Sequence, residues 1–308
     1  MLKKNINFIG NRKVALIFSA VLMVISIASL AVRGLQMGID FTGGTLIEVG
    51  YKQAADLTAL RNTLDKAGFT DATVQNFGTT KDVLIRLKLH EGISSAELSG
   101  QVLSVINKNT AEPASLRRVE FVGPQVGEDL AQDGFLALLY STIGILIYIA
   151  WRFEWKFSTG AIIATLHDVI VTMGFFSILG LEFDLTVLAA VLALIGYSLN
   201  DTIVVYDRIR ENFRLLRNKS TEEIMNISIN ETLSRTIMTS VTVMLVLVSL
   251  FFLGGEVIHN FSIVLLFGVI FGTYSSIFIA SPAALMLGIS PEDLMLPVKE
   301  GATLDSRP

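Results

Sequence analysis

Residues 185–217 of the chain read LTVLAAVLALIGYSLNDTIVVYDRIRENFRLLR. The first two thirds of this stretch are apolar and long enough to cross a bilayer, which takes about 20 residues. One acidic residue, Asp201, interrupts the apolar part, and a series of arginines follows. The stretch therefore predicts a membrane-spanning helix that carries a carboxyl group and ends in a basic, cytoplasmic segment.

Further apolar runs of similar length flank this one, and the chain as a whole is 52% apolar with a mean hydropathy of +0.60. Such values are typical of a polytopic membrane protein. The first run also has the basic flank of a signal peptide, but it is longer than a usual signal core, and we interpret it as a retained anchor. The predicted spans cover residues 15–32, 135–151, 157–179, 185–205, 236–253 and 261–287.

Charge and cysteine content exclude several classes of protein and site. The formal net charge is −4, whereas nucleic-acid binding needs a basic surface. The chain contains no cysteine, which excludes disulfides, thiolate metal sites and cysteine nucleophiles. The three histidines are far apart and no HExxH spacing occurs, so neither a metal nor another cofactor is predicted.

The basic residues of the short connections predict the orientation. Lysine and arginine near span ends stay in the cytoplasm, and residues 180–184 and 254–260 contain neither. Both termini are therefore expected in the cytoplasm and the segment between the first two spans outside. This gives four regions: a cytoplasmic tail with the first span (1–33), an extracytoplasmic, periplasmic domain (34–132), the remaining spans (133–290) and a second cytoplasmic tail (291–308).

The outer segment has the pattern of a small α+β domain. The order β-α-β-β-α-β is that of the ferredoxin-like fold, in which two helices cover one face of a single sheet. Strands are predicted over residues 45–51, 73–77, 83–89 and 116–122, with helices over 54–67 and 95–107.

The basic segment after the fourth span has helical periodicity. Ile209, Phe213 and Leu216 are four and three residues apart among arginines. This spacing predicts an amphipathic helix over residues 206–218 on the cytoplasmic membrane surface, where it would serve as a basic anchor.

Two glycine patterns are interpreted structurally. The glycines of residues 38–44 allow positive backbone φ angles where the chain leaves the first span. Asp40, between them, is expected to cap a helix or to bridge toward a partner. Gly268 and Gly272 form a GxxxG pattern, which allows helices to approach closely in lipid.

Ionisable side chains inside the spans are the candidates for chemistry, because each costs about 2.5–3.5 kcal/mol at the centre of a membrane helix on insertion scales. Asp168, beside His167, lies near the middle of the third span. Asp201, beside Asn200, lies in the cytoplasmic half of the fourth, and Arg235 opens the fifth from the cytoplasmic side.

Several interpretations of these residues stay open. A mobile Arg235 would switch Asp201 between its protonated and ionised forms, which is a proton relay. Ser198, Asn200 and Asp201 also offer hard oxygen ligands, so sodium is an alternative coupling ion. The acids can instead pair with arginine and only hold helices together. An aspartate-type membrane protease would also use two acids in neighbouring spans, but its Gly-x-Gly-Asp pattern is absent at Asp201.

Short motifs along nearly the whole chain resemble the SecD/SecF family of bacterial protein-export subunits, and in particular its smaller, SecF-type members. The motifs are GIDFTGG at residues 38–44, FVGPQVG at 121–127, LHD at 166–168, GYSLNDTIVVYDRIREN at 196–212 and TLSRT at 232–236. On the matching positions, the proton-relay residues of the family correspond to Asp201 and Arg235. Asp168 matches a family motif without a settled role.

The resemblance implies a six-helix half of the resistance-nodulation-division (RND) type in the bacterial inner membrane. It implies pairing with SecD into a pseudosymmetric complex, and association with the SecYEG channel, YajC and translocating unfolded secretory proteins. It also implies that proton motive force assists the movement or release of these proteins after the ATP-driven step. No enzymatic activity is implied.

Two other classes of function stay open on the sequence. One is a half-transporter of the RND superfamily that exports a small molecule or lipid. Such pumps resemble this layout but carry much larger outer domains, whereas the segment here has room for one small sheet. The other is a passive scaffold in which the acids only hold helices together.

Overall fold

The structure, a computed structural model, describes residues 6–88, 93–108, 113–216 and 218–294. The predicted tail beyond residue 294, His90 and the predicted strand end at Leu89 lie outside these residues. The elements in chain order are α1 (Arg12–Arg33), β1 (Gln36–Met37), α2 (Ile39–Thr42), β2 (Gly44–Gly50), α3 (Leu57–Lys66), β3 (Thr73–Phe77), β4 (Thr79–Leu87), α4 (Ser95–Lys108), β5 (Ser115–Val122), α5 (Pro124–Arg152), α6 (Trp155–Leu179), β6 (Glu182–Phe183), α7 (Leu185–Leu215), α8 (Thr221–Leu253), α9 (Glu256–Ser275), a π-helical turn (Ser276–Ala280), α10 (Ser281–Met286) and a 3-10 turn (Pro291–Leu294).

Six helices in the described part of the chain are long and apolar enough to cross a membrane. They are α1, α5, α6, α7, α8 and a sixth span, Ile258–Met286, which comprises α9, the π turn and α10. Half or more of the residues in the apolar parts of α6, α7 and the sixth span are buried, against fewer than a fifth in α1, α5 and α8. The first three therefore form the centre of the membrane domain, and the others lie around it.

Small residues determine how closely the central helices approach each other. Gly268 of α9 lies against Leu194 of α7, and a Cβ atom at Gly272 would be 3.3 Å from the Cβ atom of Ser198. These glycines are the predicted GxxxG pair. The structure confirms that they lie where α7 and α9 pack closely.

The sixth span contains an irregularity that the protein itself satisfies. A π-helical turn changes the backbone hydrogen-bond pattern, and in a membrane any carbonyl left without a partner needs one from the protein. Tyr206 Oη donates a hydrogen bond to the Ala280 carbonyl at 2.8 Å, and Ser281 Oγ donates one to the Ser276 carbonyl at 3.1 Å. The turn is therefore held in place by α7 and by its own helix.

The segment between α1 and α5 contains a separate α+β unit with its own apolar core. Its four-stranded sheet has the order β3-β4-β2-β5, and every neighbouring pair is antiparallel. Apolar residues of α3 and α4 pack on the strands: Leu60, Leu64, Leu98, Val102 and Ile106. This is the ferredoxin-like arrangement, so the predicted fold class of six membrane helices with a small α+β domain between the first two is confirmed.

The residues predicted as an amphipathic helix, 206–218, are helical through Leu215 but continue α7 and do not form a separate element, and Arg217 lies outside the described residues. The helix α7 continues through Leu215 without a break, because α8 covers its apolar face: Ile209 and Phe213 belong to the same buried cluster as Ile224 and Met225. Arg208 and Arg210 of α7 pair with acids of the protein at the same time, as in the 2.6 Å contact between Arg208 Nε and Glu231 Oε2.

The fifth span also begins earlier than its apolar run indicates. Ser220 and Glu223 form a capping box that starts α8 at Thr221, well before residue 236. The extended ends of α7 and α8 therefore form an antiparallel hairpin, joined by the 2.9 Å hydrogen bond from Asn212 Nδ2 to Ser228 Oγ. Arg235, predicted at the opening of the fifth span, lies inside a continuous helix.

Close helix packing can be tested at Gly174 of α6, which lies directly against Ser26 of α1. Gly174→Val should lower the free energy of unfolding by about 1–3 kcal/mol, the usual cost of overpacking, and so lower the midpoint of thermal unfolding in detergent. Gly144→Val is the matched control, because no described atom beyond its own helix lies within 4 Å of the position of a Cβ atom there. Equal midpoints for the two variants would contradict the predicted packing.

Candidate functional site

Asp168 lies on α6 at the centre of the membrane domain, and its side chain is completely buried. Its Oδ2 atom accepts hydrogen bonds from Ser198 Oγ at 2.5 Å and from Ser275 Oγ at 2.6 Å. Its Oδ1 atom is 3.0 Å from His167 Nδ1. We call these four residues the Asp168 cluster. Through it, α6, α7 and α9 meet at one carboxyl group.

The local sequence of α9 makes room for this cluster. Gly272 lies one turn before Ser275, and a Cβ atom at Gly272 would be 3.7 Å from Asp168 Oδ2. The glycine therefore lets α9 approach closely enough for the Ser275 hydroxyl to reach the carboxyl group. Hydroxyl donors are needed there, because burying a carboxyl group without hydrogen bonds costs several kcal/mol.

His167 is buried together with its neighbour, with 4% of its surface exposed. Its Nδ1 atom faces Asp168, whereas its Nε2 atom has no hydrogen-bond partner among the described residues. The imidazole ring lies 6.5 Å from the ring of Tyr274. The structure thus places His167, which the sequence offered as a site candidate, in direct contact with the Asp168 carboxyl group.

Asp201 lies on α7, one turn beyond Ser198, and is 2% exposed. Its hydrogen-bond partner is Thr273 Oγ1, at 3.4 Å from Oδ2. Thr273 and Ser240 hydroxyls are 2.7 Å apart, and Tyr197 Oη donates to Ser240 Oγ at 3.2 Å. We call these four residues the Asp201 cluster, which joins α7, α8 and α9. Because the bond at Asp201 is long, this carboxyl group is held less firmly than that of Asp168.

Arg235 and Asn200 both have exposed side chains. Arg235 lies on α8, which packs beside α7, and in the described part of the chain no ion pair joins it to Asp201. Gly196 and Ala193 continue the exposed face of α7 beside Asn200. Because these residues are exposed, the described helices of this chain do not cover this side of the site. Polar and charged groups in a membrane helix need protein or water around them.

The structure does not bring together the residues of two alternative sites. Ser198 donates to Asp168, Asn200 is exposed and Asp201 faces Thr273, so the three predicted sodium ligands point in different directions. Asp168 and Asp201 lie in separate clusters, whereas an aspartate-type protease needs two acids that face each other. No group of three or more His, Asp or Glu residues that could hold a metal ion occurs in the ranges the structure describes.

Sequence reasoning missed the hydroxyl groups of α8 and α9 that contact the two acids directly or, for Ser240, through Thr273. Ser240, Thr273 and Ser275 lie in membrane spans that contain other hydroxyl residues and carry no charge, so nothing singled them out. A signal was nevertheless present for one of them. Ser275 follows Gly272 by three residues, which extends the GxxxG face by one turn.

Two family models match the chain. A family model described as protein export membrane protein SecD/SecF, C-terminal, matches residues 102–290, which include both clusters and Arg235. A second model, the SecD/SecF GG motif, matches residues 28–55. The first match alone covers more than half of the chain.

Known relatives are similar over nearly their whole length. The chain is 50% identical over 308 residues to the protein translocase subunit SecF of Vibrio alginolyticus, a match that covers 99% of this chain and 98% of that protein. It is 49% identical over 304 residues to the SecF subunit of Pseudomonas aeruginosa, with 98% of each chain covered.

Two solved structures have the same fold. The translocon-associated membrane protein SecDF from Thermus thermophilus is 35% identical, with a TM-score of 0.84 and coverage of 93% of this chain and 39% of that chain. A structure of SecDF in a super-membrane-facing form is 36% identical, with a TM-score of 0.68 and the same coverage of 93% of this chain and 39% of that chain. The chain thus spans about two fifths of the SecDF polypeptides that it matches.

The hydrogen bond from Ser275 to Asp168 gives a test of the site geometry. Ser275→Ala removes a hydroxyl donor from a fully buried carboxyl group, so the free energy of unfolding should fall by about 1.5–3 kcal/mol if that group is charged. Thermal unfolding in detergent measures the loss. Ser249→Ala is the control, because that exposed hydroxyl bonds only to the Leu245 carbonyl of its own helix, at 2.9 Å, among the described residues. Equal unfolding temperatures for both variants would show that Ser275 does not support Asp168.

Proposed function

Because the chain belongs to the SecD/SecF family of protein export membrane proteins, among its SecF subunits, we propose that it serves the Sec machinery as a transport component without enzymatic activity. In this role it works with SecD and uses proton motive force to assist the movement or release of secretory proteins. The assisted step follows the ATP-driven one. Protons are the proposed coupling ion.

The observation that carries this proposal is that the buried Asp201 carboxyl group has few and weak partners. The carboxyl group is buried, its only described hydrogen bond is 3.4 Å long, and no ion pair joins it to Arg235 of the neighbouring helix α8 among the described residues. A buried carboxyl group whose counter-charge can approach or withdraw can change its protonation state with conformation. Each unit charge that crosses 100 mV supplies about 2.3 kcal/mol, so repeated transfers can perform mechanical work.

The proposed partner SecD would cover the open side of the site. The exposed face with Gly196, Asn200 and Arg235 lies beside Asp201, and small residues favour close helix contact in lipid. The match covers 39% of the SecDF chain, so more than half of that chain lies outside the match. This supports a pair of related halves with the coupling residues at their interface. The SecYEG channel, YajC and translocating unfolded proteins are proposed as further partners.

The proposed orientation places both termini in the cytoplasm of a bacterium and the α+β domain outside its inner membrane. Support comes from the hairpin formed by the ends of α7 and α8, which concentrates arginines on one side of the membrane domain. The outer domain is then available to a secretory protein that emerges from the channel. An exporter of small molecules or lipids is not favoured, because the domain is built around a single four-stranded sheet.

Asp201→Asn is the decisive test of the relay, because asparagine keeps the shape of the side chain but cannot take up a proton. Export of a secretory protein and proton uptake by membrane vesicles should both fall by about fivefold or more, the lower end of usual coupling between sites. Asp207→Asn is the control, since this acid lies on the same helix and pairs with Arg152 at 2.9 Å, outside the cluster. Normal export together with normal proton uptake in Asp201→Asn would refute the proposal. Sodium uptake in place of proton uptake, lost in Asp201→Asn, would identify sodium as the coupling ion.

Arg235→Met separates coupling from assembly. Methionine keeps most of the length of the side chain without its charge, so proton uptake and export should fall while SecD still co-purifies with the chain. Arg214→Met, which removes an exposed arginine from the far end of α7, should leave all three measurements unchanged. If SecD no longer co-purifies with the Arg235→Met variant, this arginine holds the complex together and is not a coupling residue.

A further inference from the structure

The segment that leads from α1 into the outer domain is joined to the start of α7. β1 and β6 pair in parallel, with Gln36 opposite Glu182 and Met37 opposite Phe183. The Gly38 amide continues the pairing with a hydrogen bond to the Phe183 carbonyl at 2.8 Å. These residues lie far apart in the chain but come together directly before α7 begins.

Arg86 connects the sheet of the outer domain to the same place. It lies on β4, a central strand, and its Nη1 atom donates to the Met37 carbonyl at 2.7 Å. Its Nη2 atom forms an ion pair with Glu182. One guanidinium group thus links the outer sheet both to β1 and to the connection between α6 and α7.

Asp40 caps α7 from a distance in sequence. Its Oδ2 atom accepts the Leu185 amide at 3.0 Å, while Asp184 caps the same helix through the Val187 amide at 2.8 Å. The first amides of a helix have no hydrogen-bond partner within the helix. Here one of them, that of Leu185, finds its partner in the segment that enters the outer domain. The sequence indicated that Asp40 caps a helix or bridges to a partner; the structure shows that the helix is α7.

Side chains close the space around this contact. Phe41 stacks on Phe183 with ring centroids 5.8 Å apart, and a Cβ atom at Gly127 of α5 would be 2.9 Å from the Gly43 amide nitrogen. Gly43 itself has a φ angle of 67°, a conformation that favours glycine. The first turn of α5 is therefore part of the same assembly. We call residues 36–44 and 182–185, together with Arg86 and the first turn of α5, the outer joint.

The charges of the outer joint favour a closed contact. Burial raises the pKa of Glu182 above its ordinary value, the charge of Arg86 opposes this, and the neighbouring Asp184 and Asp40 add to it. Burial also raises the pKa of Asp184. The guanidinium of Arg86 pairs with Glu182, and the charges of Asp184 and Asp40 act on the same carboxyl group. Withdrawing Arg86 would leave Glu182 beside two further acids without its cation, which favours a closed contact.

We propose that the outer joint couples the outer domain rigidly to α7, with Asp40 and Arg86 as positioning residues that pass movement of the Asp201 helix to the outer domain. The proposal rests on the proposed function and adds the route by which proton exchange reaches the protein outside. The same helix, α7, carries Asp201 and begins with the Leu185 amide, which donates to Asp40 of the segment that enters the outer domain. The joint remains closed throughout the cycle, and movement occurs elsewhere.

The first arm of the test releases the joint in the complete complex. Asp40→Leu combined with Arg86→Gln should lower export by about fivefold or more, while proton uptake that depends on Asp201 stays within about twofold of the unsubstituted complex. Asp56→Leu combined with Arg117→Gln is the matched control. It removes the cap of α3 and the 3.0 Å ion pair of Arg117 with Asp82, both within the outer domain, and should leave both readouts unchanged.

The second arm locks the joint in place. The chain has no cysteine, so Met37→Cys with Phe183→Cys introduces one pair at neighbouring strand positions, where strands lie about 4.8 Å apart and a disulfide can form. The oxidised complex should export as well as the same complex after reduction. The reduced form serves as its own control for the two substitutions.

The outcomes separate this proposal from the function on which it rests. Unchanged export in the released complex, or export lost on oxidation and restored by reduction, would overturn the rigid joint. Loss of proton uptake together with export in the released complex would also overturn it, because the joint would then shape the relay and not transmit its movement. If the proposed function itself is wrong, proton uptake will be the same in the unsubstituted complex and in Asp201→Asn, whatever the state of the outer joint.

Discussion

One constraint determines the centre of this protein: a polar group inside a bilayer must find its partners within the protein, because lipid offers none. Asp168 is the strictest case, a completely buried carboxyl group that needs donors from two other helices. α6, α7 and α9 must therefore meet at one point and in one register. The glycines of α9 serve this meeting, since larger side chains would hold the helices apart. Apolar packing is compatible with many arrangements of these helices, whereas the hydrogen bonds of Asp168 select one.

The two intramembrane acids meet this constraint to different degrees. Asp168 has three partners at 2.5–3.0 Å, an arrangement suited to a group that keeps one protonation state and one position. Among the described residues, Asp201 has one hydrogen-bond partner, at 3.4 Å, and forms no ion pair with Arg235. A group that must gain and lose a proton cannot be equally well satisfied in both forms by fixed neighbours. The incomplete satisfaction of Asp201 therefore suits exchange, and the complete satisfaction of Asp168 suits a structural anchor next to it.

The sequence predicted the parts of the fold that follow from local periodicity and hydrophobicity. The six spans and the β-α-β-β-α-β order were evident because lipid requires long apolar runs and a half-buried strand alternates. It failed where apolar runs and helices do not coincide: α8 starts at Thr221 because of a capping box, and α7 continues to Leu215 because α8 covers its apolar face. The acids were visible as charges in apolar runs. Their hydroxyl partners were not, because a single serine or threonine in a membrane helix is unremarkable until the helices are assembled.

The geometry of α7 explains why a rigid outer joint matters. With 31 residues and a rise of about 1.5 Å each, the helix is about 46 Å long, and Asp201 lies about 24 Å from its first residue. A tilt of only about 5° about one end would move the other end by about 4 Å, because a helix with internal hydrogen bonds behaves as a rod over this length. A small rearrangement around Asp201 can therefore become a displacement of several ångströms at the outer end. A flexible connection there would absorb a displacement of this size. The cap from Asp40 and the bridge through Arg86 prevent that by making the outer domain an extension of the helix.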